Sequence, residues 1–212
     1  MLTADLRKEY TLAGLRRHDL SPDPIQQFQK WLQNAIDAKL SEPTAMTLAT
    51  VDKNGRPSAR TVLLKGVDQC GFIFFTNYQS RKGRELAENP QAALVLYWVE
   101  LERQVRVTGS VTKTSRAESE AYFRSRPRGN RLGTWASDQH SVILNRDVLE
   151  ARLKEFEMKY PGDDIPLPPY WGGFALAPIE IQFWQGRPNR LHDRFRYAKE
   201  ADGSWLIERL SP

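Results

Sequence analysis

Ala45-Met46-Thr47-Leu48-Ala49-Thr50-Val51-Asp52-Lys53-Asn54-Gly55-Arg56-Pro57-Ser58-Ala59-Arg60-Thr61-Val62-Leu63-Leu64-Lys65 decides the fold. Two runs of β-type residues, Ala45 to Val51 and Ser58 to Lys65, flank Asp52-Lys53-Asn54-Gly55, and Asn-Gly is a strong hairpin turn signal. The stretch therefore predicts an antiparallel hairpin. Downstream, Phe72 to Thr76, Ala92 to Val99 and Gln104 to Thr114 continue in the same style, interrupted by a short helix from Ser80. Phe174 to Trp184, Phe195 to Tyr197 and Trp205 to Leu210 return to it after a helical middle, with Asp202-Gly203 as the last turn. Strands that follow one another through hairpins, with helices grouped between them, predict a mainly β fold: a largely antiparallel barrel with flanking helices.

Upstream of the hairpin, Ser21-Pro22-Asp23-Pro24 starts a helix whose apolar positions Ile25, Phe28, Leu32, Ile36 and Leu40 recur at spacings of three and four. Ser115-Arg116-Ala117-Glu118 is a capping box, which predicts a helix from Arg116 to Arg126, with Pro127 ending it. Asn145 and Asp147 open another helix, with Val148, Leu149, Leu153, Phe156 and Tyr160 on one face, before a proline-rich loop at 161–169. The chain of 212 residues reads as a single domain, 1–212.

With 31 Lys and Arg against 26 Asp and Glu, the net charge of +5 favours anionic partners. The basic residues are scattered, which points to discrete phosphate sites. One cysteine, Cys70, excludes an internal disulfide, and three histidines without a Cys/His cluster speak against a structural zinc and predict no metal site. The longest apolar run, Ala92 to Val99, is too short to span a bilayer, and a cytoplasmic protein is expected. A glycine-rich dinucleotide fingerprint, a P-loop and a nucleophile elbow are all missing, so side chains must hold any nucleotide.

Three places could do so. Ser80-Arg81-Lys82 sets two cations at a helix start, where free amides and the dipole favour a phosphate; taken alone, an ordinary capped helix with exposed basic residues is the favoured explanation. Tyr122 and Arg126, four apart on the predicted helix, share a face that can grip a second phosphate or cover apolar surface. Arg60 and Lys65, five apart on a predicted strand, leave opposite faces. Finally, 183–194 places two aromatics, three arginines and a histidine in twelve residues, which suits a flat anionic ligand or a Trp-anchored strand followed by a solvated loop.

Several separated motifs together resemble the pyridoxine/pyridoxamine 5'-phosphate oxidase family: RTVLLK at 60–65, GFIFFTNYQSRKGREL at 71–86, LERQVRV at 101–107, YFRSRPRGN at 122–130 and FWQGRPNRLHDR at 183–194. LRKEYTLAGL at 6–15 and ERLSP at 208–212 also resemble the family's ends. The resemblance implies an FMN-binding split β-barrel homodimer with the cofactor between subunits, acting on phosphorylated B6 vitamers and O2 and needing neither nucleic acid nor membrane. Residue by residue, it implies FMN contacts at Arg60, Lys65, Phe75, Thr76, Arg81, Lys82, Gln104, Gln139, His140, Trp184 and Arg194. It assigns the substrate phosphate to Lys65, Tyr122, Arg126 and Asn130, and the reacting pyridine to Arg190 and His192 as catalytic residues. Arg7 and Tyr10 become a lid that contacts substrate. Asn130 stands where the family usually has Ser, and Gln182 where it usually has Glu; Asn130 can still donate to phosphate, and Gln182 is expected to be structural. A related split-barrel oxidase acting on a phenazine precursor, a non-catalytic flavin- or haem-binding barrel, and a nucleic-acid-binding barrel are the competing readings.

Overall fold

The computed structural model describes residues 9–212. Helix α1 (Pro24–Asp37) is capped by Asp23, whose side chain accepts from the Ile25 amide, and has proline in its first turn. The hairpin follows as β1 (Ala45–Val51) and β2 (Pro57–Leu63), paired in register from Ala45 opposite Leu63 to Val51 opposite Pro57. Gly55 takes φ 78 at the turn, and the Asp52 carboxylate accepts from the Asn54 and Arg56 amides. Next come β3 (Gly66–Asp68), β4 (Gly71–Asn77), α2 (Arg81–Glu88), β5 (Gln91–Trp98) and β6 (Arg103–Lys113). Helices α3 (Arg116–Ser125), α4 (Arg128–Ala136) and α5 (Asp147–Lys159) precede β7 (Trp171–Gln185), β8 (Asp193–Lys199) and β9 (Trp205–Leu210).

The nine strands of the described residues belong to one sheet of order β2-β1-β5-β6-β7-β4-β3, with β8 and β9 branching from β7, and each of their pairings is antiparallel. The ends of this path meet along the chain itself. The Leu64 amide donates back to Thr44 on the β1 side (2.8 Å), and the next amide, Lys65, donates to Ile73 in β4 (2.8 Å). The sheet thus closes on itself at Leu64 and Lys65. It splits along β7, whose first part (Trp171 to Leu176) pairs β4 and whose last part (Glu180 to Gln185) pairs β8. A bulge opposite Thr108/Gly109 lies between the two parts, at Ile179, next to Pro178, which has no amide for the ladder. Gly109 has no room for a Cβ against the Ala177 carbonyl, so the close approach there requires glycine.

The barrel core contains Phe28, Phe72, Phe74, Leu94, Leu96, Val107, Leu176 and Phe183, all fully buried. A second cluster of Phe123, Leu132, Ile165, Leu167 and Trp171 lies where α3 to α5 cover the sheet.

Helix α3 ends at Ser125; Arg126 is its C-cap with ψ 146, because the proline that follows forces the preceding residue into extended backbone. The second hairpin strand stops at Leu63, so Lys65 lies beyond it at the closure rather than on the opposite face from Arg60. Helix α1 buries Gln27, Trp31 and Ala35 with Ile25 and Phe28 and leaves Ile36 46% exposed, so its inward stripe is rotated from the expected one. Leu40 lies past the helix end. Strand β3 and helix α4 were not anticipated.

Candidate active site

A cleft of about 530 Å³ opens where the barrel closure, β4 and helices α2 to α4 meet. Of the residues singled out from sequence, it gathers Lys65, Phe75, Thr76, Lys82, Tyr122, Arg126, Asn130 and Gln139. One wall is cationic and buried. Lys82, in the first turn of α2, is 4% exposed, and its ammonium donates to Thr76 Oγ1 and Gln139 Oε1, both at 3.1 Å. Ser80 caps that helix by accepting the Gly83 amide, and a Cβ on Gly83 would strike the Tyr78 carbonyl, so the tight start of α2 depends on this glycine. Helix geometry leaves the Arg81 and Lys82 amides without intrahelical acceptors. Burial lowers the Lys82 ammonium to about 8, with Arg60 adding to the shift and Glu85 opposing it.

Arg60 and Arg81 stand behind this wall. Arg60 donates to Leu48 O (3.2 Å), Thr50 Oγ1 (2.6 Å) and Ser58 Oγ, and Arg81 Nε donates to Glu85 Oε1 (2.8 Å). Glu85 is 5% exposed. Burial pushes its carboxyl up, but hydrogen bonds from Ser58, Thr50, Arg81 and Arg60 outweigh that and bring it to about 2. A carboxylate depressed on folding adds stability above its ordinary value of 4.5 and loses it as pH falls through about 2. The thermal midpoint should therefore fall across that window, and fall less steeply in Glu85→Gln; equal acid slopes would contradict the assignment.

The opposite wall is aromatic. Phe75 stacks on Tyr122 (3.9 Å between centroids, 21°) and on Trp171 (5.5 Å, 15°), and the Arg126 guanidinium lies 4.8 Å from the Trp171 ring centre. Arg126 Nη1 donates to Thr134 Oγ1 at 2.7 Å, which aims the guanidinium before any ligand arrives. Trp171 and Thr134 were not singled out from sequence. The signal for Trp171 was Tyr170-Trp171-Gly172-Gly173: a side chain on Gly172 would meet Tyr78 and Ser119, and one on Gly173 would meet Thr114 and Phe75, so the glycines let the strand press against the aromatic wall.

The remaining candidates lie elsewhere. Gln104, Trp184 and Arg194 are register partners across β6, β7 and β8. Trp184 packs on His192 (4.7 Å), and Tyr10 packs edge-on against both Trp184 (5.5 Å) and His192 (5.6 Å). His192 Nδ1 accepts the Arg187 amide (3.1 Å), so the proton of the neutral ring sits on Nε2. Burial, then Arg190 and Arg194, lowers its pKa. Arg190 is exposed, on a turn where Asn189 and Arg190 both adopt left-handed backbone (φ 55 and 60). Arg194 Nε is buried without a hydrogen-bond partner among the described residues. His140, beside Gln139, is exposed with φ 74, and burial followed by Lys82 and Arg60 lowers its pKa. Gln182 bonds Glu180 Oε1 within β7 (2.8 Å). Arg7 lies outside the described residues. The candidates thus form two groups, a cleft near α2 and α3 and a cluster at the β6-β7-β8 end.

Residues 32–160 match the family model described as pyridoxamine 5'-phosphate oxidase, and residues 171–212 match the pyridoxine 5'-phosphate oxidase C-terminal dimerisation region. The chain belongs to the pyridoxamine 5'-phosphate oxidase family. Pyridoxine/pyridoxamine 5'-phosphate oxidases from Paraburkholderia phymatum and a Nostoc species are 59% and 58% identical to it, over 99% of this chain and 98% of theirs. The structure of PhzG from Burkholderia lata, in complex with tetrahydrophenazine-1-carboxylic acid, superposes with a TM-score of 0.89 at 31% identity, covering 97% of this chain and 100% of that one. A Nostoc punctiforme FMN-binding protein shares the fold, with a TM-score of 0.71 at 21% identity over 91% and 98% of the two chains. The β6-β7-β8 cluster lies largely in the part that matches the oxidases' dimerisation region, whereas the cleft lies mainly in the part before it. Among the described residues, no helix is long and apolar enough to cross a membrane.

Proposed function

We propose that this oxidase binds FMN and converts pyridoxine 5'-phosphate (PNP) or pyridoxamine 5'-phosphate (PMP) to pyridoxal 5'-phosphate, with O2 as acceptor and H2O2 as product. The observation that carries the reading is a single cleft with two separate anion grips. At the α2 start, Lys82 lines the cleft with Arg60 and Arg81 behind it, and these three cations oppose one buried carboxylate, Glu85, leaving a local surplus of two positive charges that suits a phosphate dianion. Across the cleft, Arg126, Tyr122, Asn130 and Lys65 offer a second grip. A cofactor carrying a phosphate and a substrate carrying another would use both. A phenazine precursor, a carboxylic acid without phosphate, needs no second phosphate grip.

The unpartnered Arg194 Nε, aligned with Trp184 and Gln104, fits an electron-rich ring system that accepts hydrogen bonds. FMN, when bound, supplies the hydride acceptor for the substrate's C4' carbon and the route of electrons to O2. The chain's own residues hold and orient. Lys82, Arg81 and Arg60 fix the cofactor phosphate, with Thr76 and Gln139 directing the Lys82 ammonium. Arg126 and its companions fix the substrate phosphate, and Phe75 and Trp171 exclude water from that wall. His192, neutral with its proton on Nε2, and the cationic Arg190 are the polar groups proposed to polarise the reacting pyridine, with Tyr10 as a cover over His192 and Trp184.

The two residue groups meet if the β6-β7-β8 cluster of one subunit completes the cleft of its partner, so the working unit is a homodimer. Sedimentation across a dilution series, with PNP-driven peroxide release and bound flavin measured in parallel, tests both parts. Activity and flavin should be lost together as the dimer dissociates. An active monomer, or a flavin-loaded dimer that releases no peroxide with PNP or PMP, would overturn the reading.

A further inference from the structure

We propose that Glu85 is the positioning residue of the cofactor-phosphate grip, a single buried carboxylate that locks the start of α2 to the barrel and aims Arg60 and Arg81; this rests on the FMN reading above. Its two oxygens face different elements. Oε1 accepts Arg81 Nε (2.8 Å) from its own helix, one turn back. Oε2 accepts Thr50 Oγ1 (2.5 Å) from β1, and Ser58 Oγ (2.6 Å) and Arg60 Nη2 (3.3 Å) from β2. Thr50 and Ser58 are cross-strand register partners, and Arg60 follows two residues on, so the three present one face of the hairpin to the carboxylate. Glu85 itself is 5% exposed.

The cost of burying this charge is met by four donors from three elements, and their geometry is fixed by the carboxylate they share. Arg81 shows why this matters. Its side chain is 54% exposed, and its ion pair with Glu85 holds its Nε on the helix. Without the carboxylate, the long side chain is free to turn into solvent, and Arg60 loses the anion that anchors one end of its guanidinium. Neutralising Glu85 therefore has two opposed effects on a bound phosphate. Removing a negative charge beside an anion strengthens binding by Coulomb attraction. Losing the fixed geometry of two guanidinium groups weakens it. If Glu85 were only a nearby charge, the first effect would stand alone.

The test is the affinity of the full-length protein for FMN and for riboflavin, which lacks the phosphate, measured by flavin fluorescence in wild type and Glu85→Gln. Wild type should prefer FMN. In Glu85→Gln that preference should shrink by about tenfold or more while riboflavin affinity stays constant, so the loss is confined to the phosphate. Ser58→Ala, which removes one donor and keeps the charge, should shrink it by a smaller factor, and reads the same quantity if Glu85→Gln does not fold. An FMN preference that is unchanged or increased in Glu85→Gln, or unchanged in Ser58→Ala when the other variant is unfolded, would overturn the positioning role. A wild type that binds riboflavin as tightly as FMN would instead overturn the phosphate-site reading on which the role depends.

Discussion

Replacing Arg81 and Lys82 together by alanine is expected to strip the protein of flavin during gel filtration. Each side chain offers one charge-assisted contact worth about 1.5 to 3 kcal/mol. Their joint loss weakens FMN binding by roughly two to four powers of ten. The fold should survive, because the Lys82 ammonium is buried against the neutral oxygens of Thr76 and Gln139, and truncation removes a poorly solvated charge rather than a packed apolar group. Arg81 is half exposed. Fluorescence titration of the refolded apoprotein with FMN is the check, and an affinity equal to that of wild type would remove the cofactor phosphate from the start of α2.

Arg126→Ala should act on the other grip. The guanidinium is held over Trp171 by its bond to Thr134, so it is pre-aimed and binds a substrate phosphate about equally before and during reaction. Uniform binding of that kind appears in the Michaelis constant and not in turnover at saturation. The constant for PNP should rise about ten- to hundredfold, with flavin content normal. Steady-state kinetics on the flavin-replete variant decide it. An unchanged constant, or a variant purified without flavin, would mean that Arg126 serves another ligand.

The parts of this fold legible in the sequence are those where local chemistry and tertiary structure agree. The hairpin of β1 and β2 was readable because Asn54-Gly55 supplies the positive φ its turn needs, and the start of α3 because Ser115 and Glu118 complete a capping box. Helix α4 was not, since Gly129 and Gly133 weaken its propensity. Arg128 and Arg131, bonded to backbone carbonyls at 160, 161, 162 and 163, tie it to the proline-rich loop. The expectation that Tyr122 and Arg126 share a helical face failed in geometry, yet both line the cleft, because the extended Arg126 turns across the end of α3. The role of Glu85 is hidden in the sequence for a different reason. Within its helix it reads as an ordinary i,i+4 partner of Arg81, and only the fold brings Thr50, Ser58 and Arg60 to its other oxygen. Chain order also cannot say which subunit supplies a residue, so the separation of Trp184, His192 and Arg194 from the cleft became visible only in three dimensions.

Oxidation of phosphorylated B6 vitamers by the bound flavin is tested by anaerobic mixing of the FMN-loaded protein with PNP, PMP or unphosphorylated pyridoxine while the flavin absorbance near 450 nm is followed. PNP or PMP should bleach the flavin within the time of a few turnovers, readmitted O2 should restore the colour with release of peroxide, and pyridoxine at the same concentration should leave it yellow. A flavin that stays oxidised with both phosphorylated vitamers, or that is bleached equally well by pyridoxine, would contradict it.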